Sequence, residues 1–561
     1  MQFKRKYLAT SILACTPLIM QTVNSTAVAN ELDWTIGVDN EFVYQDIYSD
    51  ERQETINSEN YILRPQISLN FKSKRSNGFW RATHNHVRRS LQDANITNNY
   101  TNYAYGGSFA AIQNLLTFTA SGALNYQSAA ANGFLVDSFL LNAENLSKTR
   151  SNRFGADFTL PRGDYFGHTT KVNYSITESE RRENSFNRLD SNVLSVNTNT
   201  YTGDNFERFS AQVNTDFSIS ERSVNGDYTN RRANGDMSYR LISNLGVIAT
   251  ASHEANQIKS QNNVFSNARQ FNSVGAGLVW REAENKRIAL TWNRADNDSV
   301  AEDENNKGYV GADINWQFTP RTQISAGYTR RFFGESGNFS FQHRLKKLRT
   351  QVTYSEEVTS FSRLIAEPGN LGVFVCVDGI SDLAACFQPS SLNYQLQPNE
   401  QFVQFSGQNS EINDDLILRK ALSWQLGTEL RRTKVSINGR YATNDYLESD
   451  RLSRTYSGGT SIAFAIGQKT NISWTTNAAV TDDIFNGERG TSEVLTSKIG
   501  LDRKIGRYFD LSLAFSYLQR ETEGSVIGGS LGGSLGGGFG GLSGDIQERR
   551  VSLTLKYNLS K

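Results

Sequence analysis

The sequence predicts an all-β chain, a transmembrane antiparallel up-and-down β-barrel of about 24 strands, within a range of roughly 20–26. Three observations predict it. Apolar residues recur at every second position along nearly the whole chain, the period of a strand with one buried and one wetted face. The alternating segments reach ten or more residues, well beyond the average of about 5–6 for soluble proteins. Short basic turns also alternate with longer polar loops, the asymmetry between the two ends of an outer-membrane barrel.

The first element is an export signal at residues 1–29. Lys4, Arg5 and Lys6 form a basic start, an apolar run follows from Tyr7 to Met20, and Ala27-Val28-Ala29 supplies a small-x-small cleavage site. A lipoprotein signal ending at Cys15 is the competing reading, but Ile12-Leu13-Ala14 matches poorly upstream of that cysteine. No later stretch approaches 18 consecutive apolar residues, so no membrane helix is expected. An exported chain without one spans lipid only as a closed barrel, because every backbone polar group must find a partner there. Residues 30–561 are therefore assigned to the barrel, in the outer membrane of a Gram-negative bacterium, with membrane lipid and the barrel-assembly machinery as partners.

The alternation begins at Trp34, Ile36 and Val38 and continues through Phe42 and Tyr44. It returns in Tyr61 to Phe71, Leu116 to Tyr126, Phe209 to Ile219, Val274 to Trp280, Ile288 to Trp292 and Val310 to Phe318. Leu511 to Tyr517 and Val551 to Leu559 complete it. Aromatics near strand ends, among them Trp34, Tyr44, Trp316 and Phe318, suit the interfacial girdles of a barrel. Turns at Lys346-Lys347, Arg431-Arg432, 467–470 and 502–507 are short; loops at 295–307, 443–454 and 482–490 read as longer. Both termini fall on the short-turn side. The residues between the apolar ones then face the lumen, including Asp313, Asn315, Gln317, Gln323, Ser325, Thr329, Gln342, Gln351 and Thr353. A circular ring of this size would be about 48 Å across, too wide for its own side chains to fill.

Two segments depart from the period. Glu356 to Asp414 holds Pro368, Pro389 and Pro398 together with Cys376 and Cys386. Proline takes it out of the ladder, and export favours a Cys376–Cys386 disulfide. It reads either as a lumen constriction or lid, or as a surface loop that touches nothing. Gly524 to Gly544 is glycine-rich; a strand rather than a helix follows, so it reads as a flexible outer loop and not as a phosphate cradle.

Other function classes find little support. A net charge of +1 gives no electrostatic case for nucleic acid. Asp296, Asp298, Glu302, Asp303 and Glu304 lack the glycine of a calcium loop. His84 and His86 share a strand face without an evident third ligand, and read as lumen-lining polar residues rather than a metal site. The five histidines are scattered and no serine sits on a nucleophile turn, so neither an enzyme nor a bound cofactor is expected.

From Thr319 to Ser360 the chain reads TPRTQISAGYTRRFFGESGNFSFQHRLKKLRTQVTYSEEVTS. Arg330-Arg331-Phe332-Phe333-Gly334, the basic turn after His343 and Val352-Thr353-Tyr354-Ser355 resemble the outer-membrane β-barrels associated with the PEP-CTERM/exosortase system. The resemblance implies a context of exopolysaccharide or envelope export components, not a mechanism. The expected function is a channel, with exopolysaccharide as a candidate cargo. The alternatives are a non-conducting surface scaffold or assembly factor, and a barrel-embedded hydrolase. A receptor with an N-terminal plug is disfavoured, because only about four residues separate Ala29 from the first strand.

Overall fold

The computed structural model describes residues 31–50, 53–91, 94–128, 140, 146–180, 190–223, 226–259, 269–283, 285–297, 308–360, 373–377, 386–387, 400–404, 415–524 and 545–560. The export-signal assignment lies outside them. The strands are β1 (Glu31–Ser49), β2 (Glu54–Lys72), β3 (Ser76–Leu91), β4 (Ala94–Ile112), β5 (Leu116–Ser128), β6 (Leu146–Leu160), β7 (Phe166–Glu180), β8 (Asp190–Thr202) and β9 (Phe209–Arg222). They continue as β10 (Asp227–Ile242), β11 (Leu245–Lys259), β12 (Arg269–Ala283), β13 (Lys286–Asn297), β14 (Gly308–Thr319), β15 (Thr322–Arg331), β16 (Gly334–Arg344), β17 (Leu348–Ser360), β18 (Val373–Val377), β19 (Cys386–Phe387) and β20 (Glu400–Gln404). The last are β21 (Leu416–Glu429), β22 (Thr433–Tyr446), β23 (Arg451–Ala465), β24 (Thr470–Phe485), β25 (Glu488–Lys504), β26 (Phe509–Gly524) and β27 (Ile546–Ser560).

Twenty-four of these strands form one antiparallel sheet that closes on itself. Each pairs with its neighbours in sequence, β17 passes directly to β21, and β27 returns to β1 from Ser49↔Ile546 to Thr35↔Ser560. Closure keeps the facing consistent all round. Asp39 faces inward, its partner Arg64 does so on β2, and its partner Lys556 does so on β27. The outward face carries a belt of apolar side chains in the open, including Trp292 at 63% exposure, Leu290 at 56% and Val274 at 65%. A closed ladder wrapped in an apolar belt satisfies both demands of lipid. The chain is an outer-membrane β-barrel of the Gram-negative type.

Several loops expected from sequence are strand instead. Residues 443–446 and 451–454 belong to β22 and β23, leaving a turn at 447–450, and 482–490 shrinks to the turn Asn486-Gly487 between β24 and β25. Strands of up to 19 residues exceed the 9–11 or so needed to cross a bilayer. Their outer ends therefore rise beyond the bilayer, where the outward face meets water, and in these segments polar residues stand on both faces, which is how a loop reads in sequence. The same geometry corrects the histidines. His84 and His86 point outward from β3, opposite to Asn85 and Val87, and bond Thr101 Oγ1 and Asn99 Oδ1 at 2.8 and 2.7 Å.

The non-alternating stretch begins at 361 rather than Glu356, since β17 runs on to Ser360. Within it β18, β19 and β20 form a three-stranded sheet of their own, not paired with the 24 strands of the ring. Its course as a lid or a surface loop lies outside the described residues, as do the acidic loop at 298–307 and the glycine-rich loop beyond Gly524.

Leu513 is 48% exposed on the lipid face of β26, while Ser512 points inward and donates to Asp502 Oδ1 at 2.5 Å. Leu513→Arg places a cation against hydrocarbon at a cost of about 2–4 kcal/mol near the midplane; Ser512→Arg places it in the lumen. The expected outcome on an unboiled detergent gel is a compact, heat-modifiable band that is depleted for Leu513→Arg and retained for Ser512→Arg. Equal yields would contradict the facing.

Candidate functional site at the outer mouth of the barrel

The inward face changes character along its height. At the end where the short turns lie, Asp33, Asn70, Lys72, Asn471 and Asp502 are exposed. Toward the long-loop end Gln45, Ser49, Ser58, Asn60, Ser220 and Asn256 are all buried. The lumen is open below and filled above. A circular ring about 48 Å wide does not behave this way, so the outer ends of the strands converge.

One ion pair spans the convergence. Arg222, the last residue of β9, reaches Glu448 in the turn between β22 and β23, on nearly the opposite side of the ring. Nη1 donates to Oε2 at 2.6 Å and Nη2 to Oε1 at 2.9 Å, the parallel fork that suits guanidinium and carboxylate. The side chains are 0% and 7% exposed, so neither charge has water to fall back on. Their remaining valences are met nearby: Arg222 Nε donates to the Gly226 carbonyl at 2.8 Å, and the Leu416 N–H donates to Glu448 Oε2 at 3.0 Å.

A second pair folds the wall on itself. Arg331 at the end of β15 donates to both carboxylate oxygens of Glu254 on β11, at 2.6 and 3.1 Å, with β12, β13 and β14 between them in the ring. Asn256 donates to Glu254, and Tyr228 donates to Asn256. The Arg331 guanidinium lies 4.7 Å from the centre of the Phe333 ring. Around this chain an apolar cluster gathers Tyr228, Ile258, Phe271, Phe332, Val358, Leu416 and Leu418, with Tyr309, Phe333 and Leu447 against it. Burying such side chains stabilises by about 1.5–3 kcal/mol each. The hairpin Phe332-Phe333 turns tightly because Gly334 takes φ +114, a left-handed conformation costly for other residues.

The remaining arc is filled from above. Leu140, in the connection between β5 and β6, is 2% exposed and packs with Val43, Ile62, Val87 and Tyr100 on the inward faces of β1 to β4. Its carbonyl accepts from Arg89 Nη1 at 3.3 Å.

The nine inward positions read from sequence share one face on β14 to β17. The register pairs Asn315 with Ser325, Gln317 with Gln323, Gln323 with Gln342, Thr329 with Ser336, Gln342 with Gln351 and Ser340 with Thr353. Asp313 lies 3.5 Å from Arg287, and Thr353 bonds Ser423 at 2.6 Å. Most of them lie below the sealed zone, and none is a member of the two buried ion pairs. The residues that make it, Arg222, Glu254, Arg331 and Glu448, were not singled out as a site. Parity alone puts Arg222 and Glu254 inward near strand ends, a signal the sequence did carry; their partners follow only from the folded ring. Among the described residues no cluster of three or more His, Cys, Asp or Glu side chains could hold a metal.

Leu140→Asp should undock this connection, because a carboxylate among Val43, Ile62 and Val87 would be buried without a partner. Limited proteolysis of intact cells is expected to cleave between Gln127 and Ser147 faster in the variant than in the parent. Equal rates would show that Leu140 does not hold the connection down.

No family model matches the chain, and no curated protein does. Among solved structures it is similar to a variant of the ferric enterobactin receptor of Pseudomonas aeruginosa, at 11% identity over 94% of this chain and 80% of that one, with a TM-score of 0.34. An iron transporter of Neisseria meningitidis gives 8%, 94%, 81% and 0.42. A siderophore receptor of Pseudomonas aeruginosa gives 8%, 95%, 81% and 0.37. At these values the likeness carries no argument about cargo.

Proposed function

We propose that this barrel is an outer-membrane channel that rests shut at its outer mouth and takes a hydrophilic cargo from the periplasmic side. One observation carries the reading: a polar lumen open at the short-turn end and closed at the other by the buried Arg222–Glu448 fork. Two buried charges held by one another are suited to a gate, because removing either partner costs about 3–5 kcal/mol. The nine polar positions from Asp313 to Thr353 would line the conduit below the gate. Exopolysaccharide, in an exosortase-associated envelope system, is the cargo favoured by the resemblance at Thr319 to Ser360, and the barrel-assembly machinery is the partner that would insert the ring. The apolar cluster behind the gate favours a second reading, a non-conducting surface scaffold whose mouth never opens.

Conductance in planar bilayers separates the two. The parent is expected to pass little current, whereas Arg222→Met and Glu448→Gln are expected to raise open probability by about a hundredfold or more, the equivalent of the lost pair. Silent variants that remain heat-modifiable would leave only the scaffold.

The small sheet supports a staple between its own strands. Cys376 on β18 stands directly opposite Cys386 on β19. Antiparallel partners have Cα atoms about 4.5–5.5 Å apart, within the range a disulfide bridges. The mature protein is expected to take up no thiol reagent until it is reduced and unfolded, and then two equivalents. Labelling of both cysteines without reductant would rule the bridge out.

A further inference from the structure

Below the sealed mouth, the inward faces of β7, β8, β9 and β10 line an open pocket of about 350 Å³ on one wall of the lumen. It falls within the range of about 300–1,000 Å³ typical of small-ligand sites. Four carboxamides line it, Asn197 and Asn199 from β8, Asn214 from β9 and Asn234 from β10. Gln212 donates to Oδ1 of Asn199 at 3.2 Å and to Oδ1 of Asn214 at 3.4 Å. Those bonds orient the two amides and leave their Nδ2 groups as donors for an occupant. Lys171 and Arg232 bring positive charge to the same wall, and Asp216 brings negative charge. Tyr201 lies one inward step from Asn199 toward the periplasm. Its ring rests over Gly167, where a Cβ would stand 2.5 Å from the ring.

The donor set selects among ligands. A phosphate or sulfate would be drawn by Lys171 and Arg232, but it only accepts hydrogen bonds and offers no donor to the acceptors of the wall, the Asp216 carboxylate among them. An apolar ligand would offer nothing to the amide N–H donors of the wall. A sugar hydroxyl both donates and accepts, as a carboxamide does, and the polar ring of hydroxyls around a pyranose matches a wall of amides with one carboxylate and two cations. A flat aromatic beside such a wall can pack on the C–H face of the same ring.

We propose that this cavity is a saccharide-binding site that takes one or two sugar units of a hydroxyl-rich chain entering from the periplasm. It deepens the channel reading by naming the class of cargo, but binding does not require conduction, so the two can fail separately.

The test is saturation-transfer NMR on the folded, detergent-solubilised barrel, with maltotetraose and cellotetraose as probes. At least one probe is expected to receive saturation from the parent. Asn199→Ala/Asn214→Ala should weaken it by about tenfold, the loss of roughly one net hydrogen bond. Thr475→Ala, inward on the far wall, should leave it unchanged. Folding of each variant is read from its heat-modifiable band. No transfer from either sugar to a folded parent would overturn the site, as would equal binding by the double variant. Displacement of the sugar by an equal concentration of inorganic phosphate would mark an anion site and overturn it too. Sugar binding combined with silent gate variants would keep this site and remove the conduit.

Discussion

Every backbone N–H and C=O that enters hydrocarbon must find a partner within the protein. In a chain built of strands only ring closure achieves this, because an open sheet leaves two unpaired edges. The long pairing of β1 with β27 is therefore the contact on which the rest depends. It joins the two ends of the described chain, and it works only if the inward and outward faces still agree after 24 strands. They do: Val43, Gln45 and Ile47 on β1 face the lumen beside Ser552, Arg550 and Glu548 on β27.

Closure of so many strands creates a second problem, a ring too wide to seal with ordinary side chains. The fold meets it by drawing the outer strand ends together. An unpaired buried ion is far more costly than an unpaired amide, so a charge placed here is best held by an opposite one. Arg222 with Glu448 and Arg331 with Glu254 meet that condition through forked hydrogen bonds. Apolar packing around Phe271, Phe332 and Leu416 then removes the water that would weaken them. Leu140 completes the closure over β1 to β4 without any charge of its own. The lower lumen carries no such constraint, and there the amide-rich faces of β7 to β10 remain accessible.

The segment Arg330 to Gly334 links the two levels. In sequence it stands out as a basic-aromatic motif that carries a resemblance. In the structure its residues have separate duties: Arg331 enters the buried pair, Phe332 the apolar cluster, Phe333 stacks on the guanidinium, and Gly334 permits the turn. His84 and His86 illustrate the opposite case. Their shared face was legible, but its direction was not, because above the bilayer both faces of β3 are polar and hydropathy no longer distinguishes them.

Strand existence, strand number and the alternation of faces within the membrane belt were all written in the sequence. They depend on a period of two set by lipid on one side and water on the other, a local pattern that needs no knowledge of distant partners. The turn at 447–450 and the sealed mouth were decided only by the tertiary structure. Glu448 meets Arg222 because the ring is drawn together above the bilayer, and a contact across a lumen between strands far apart in sequence leaves no periodic trace in either of them.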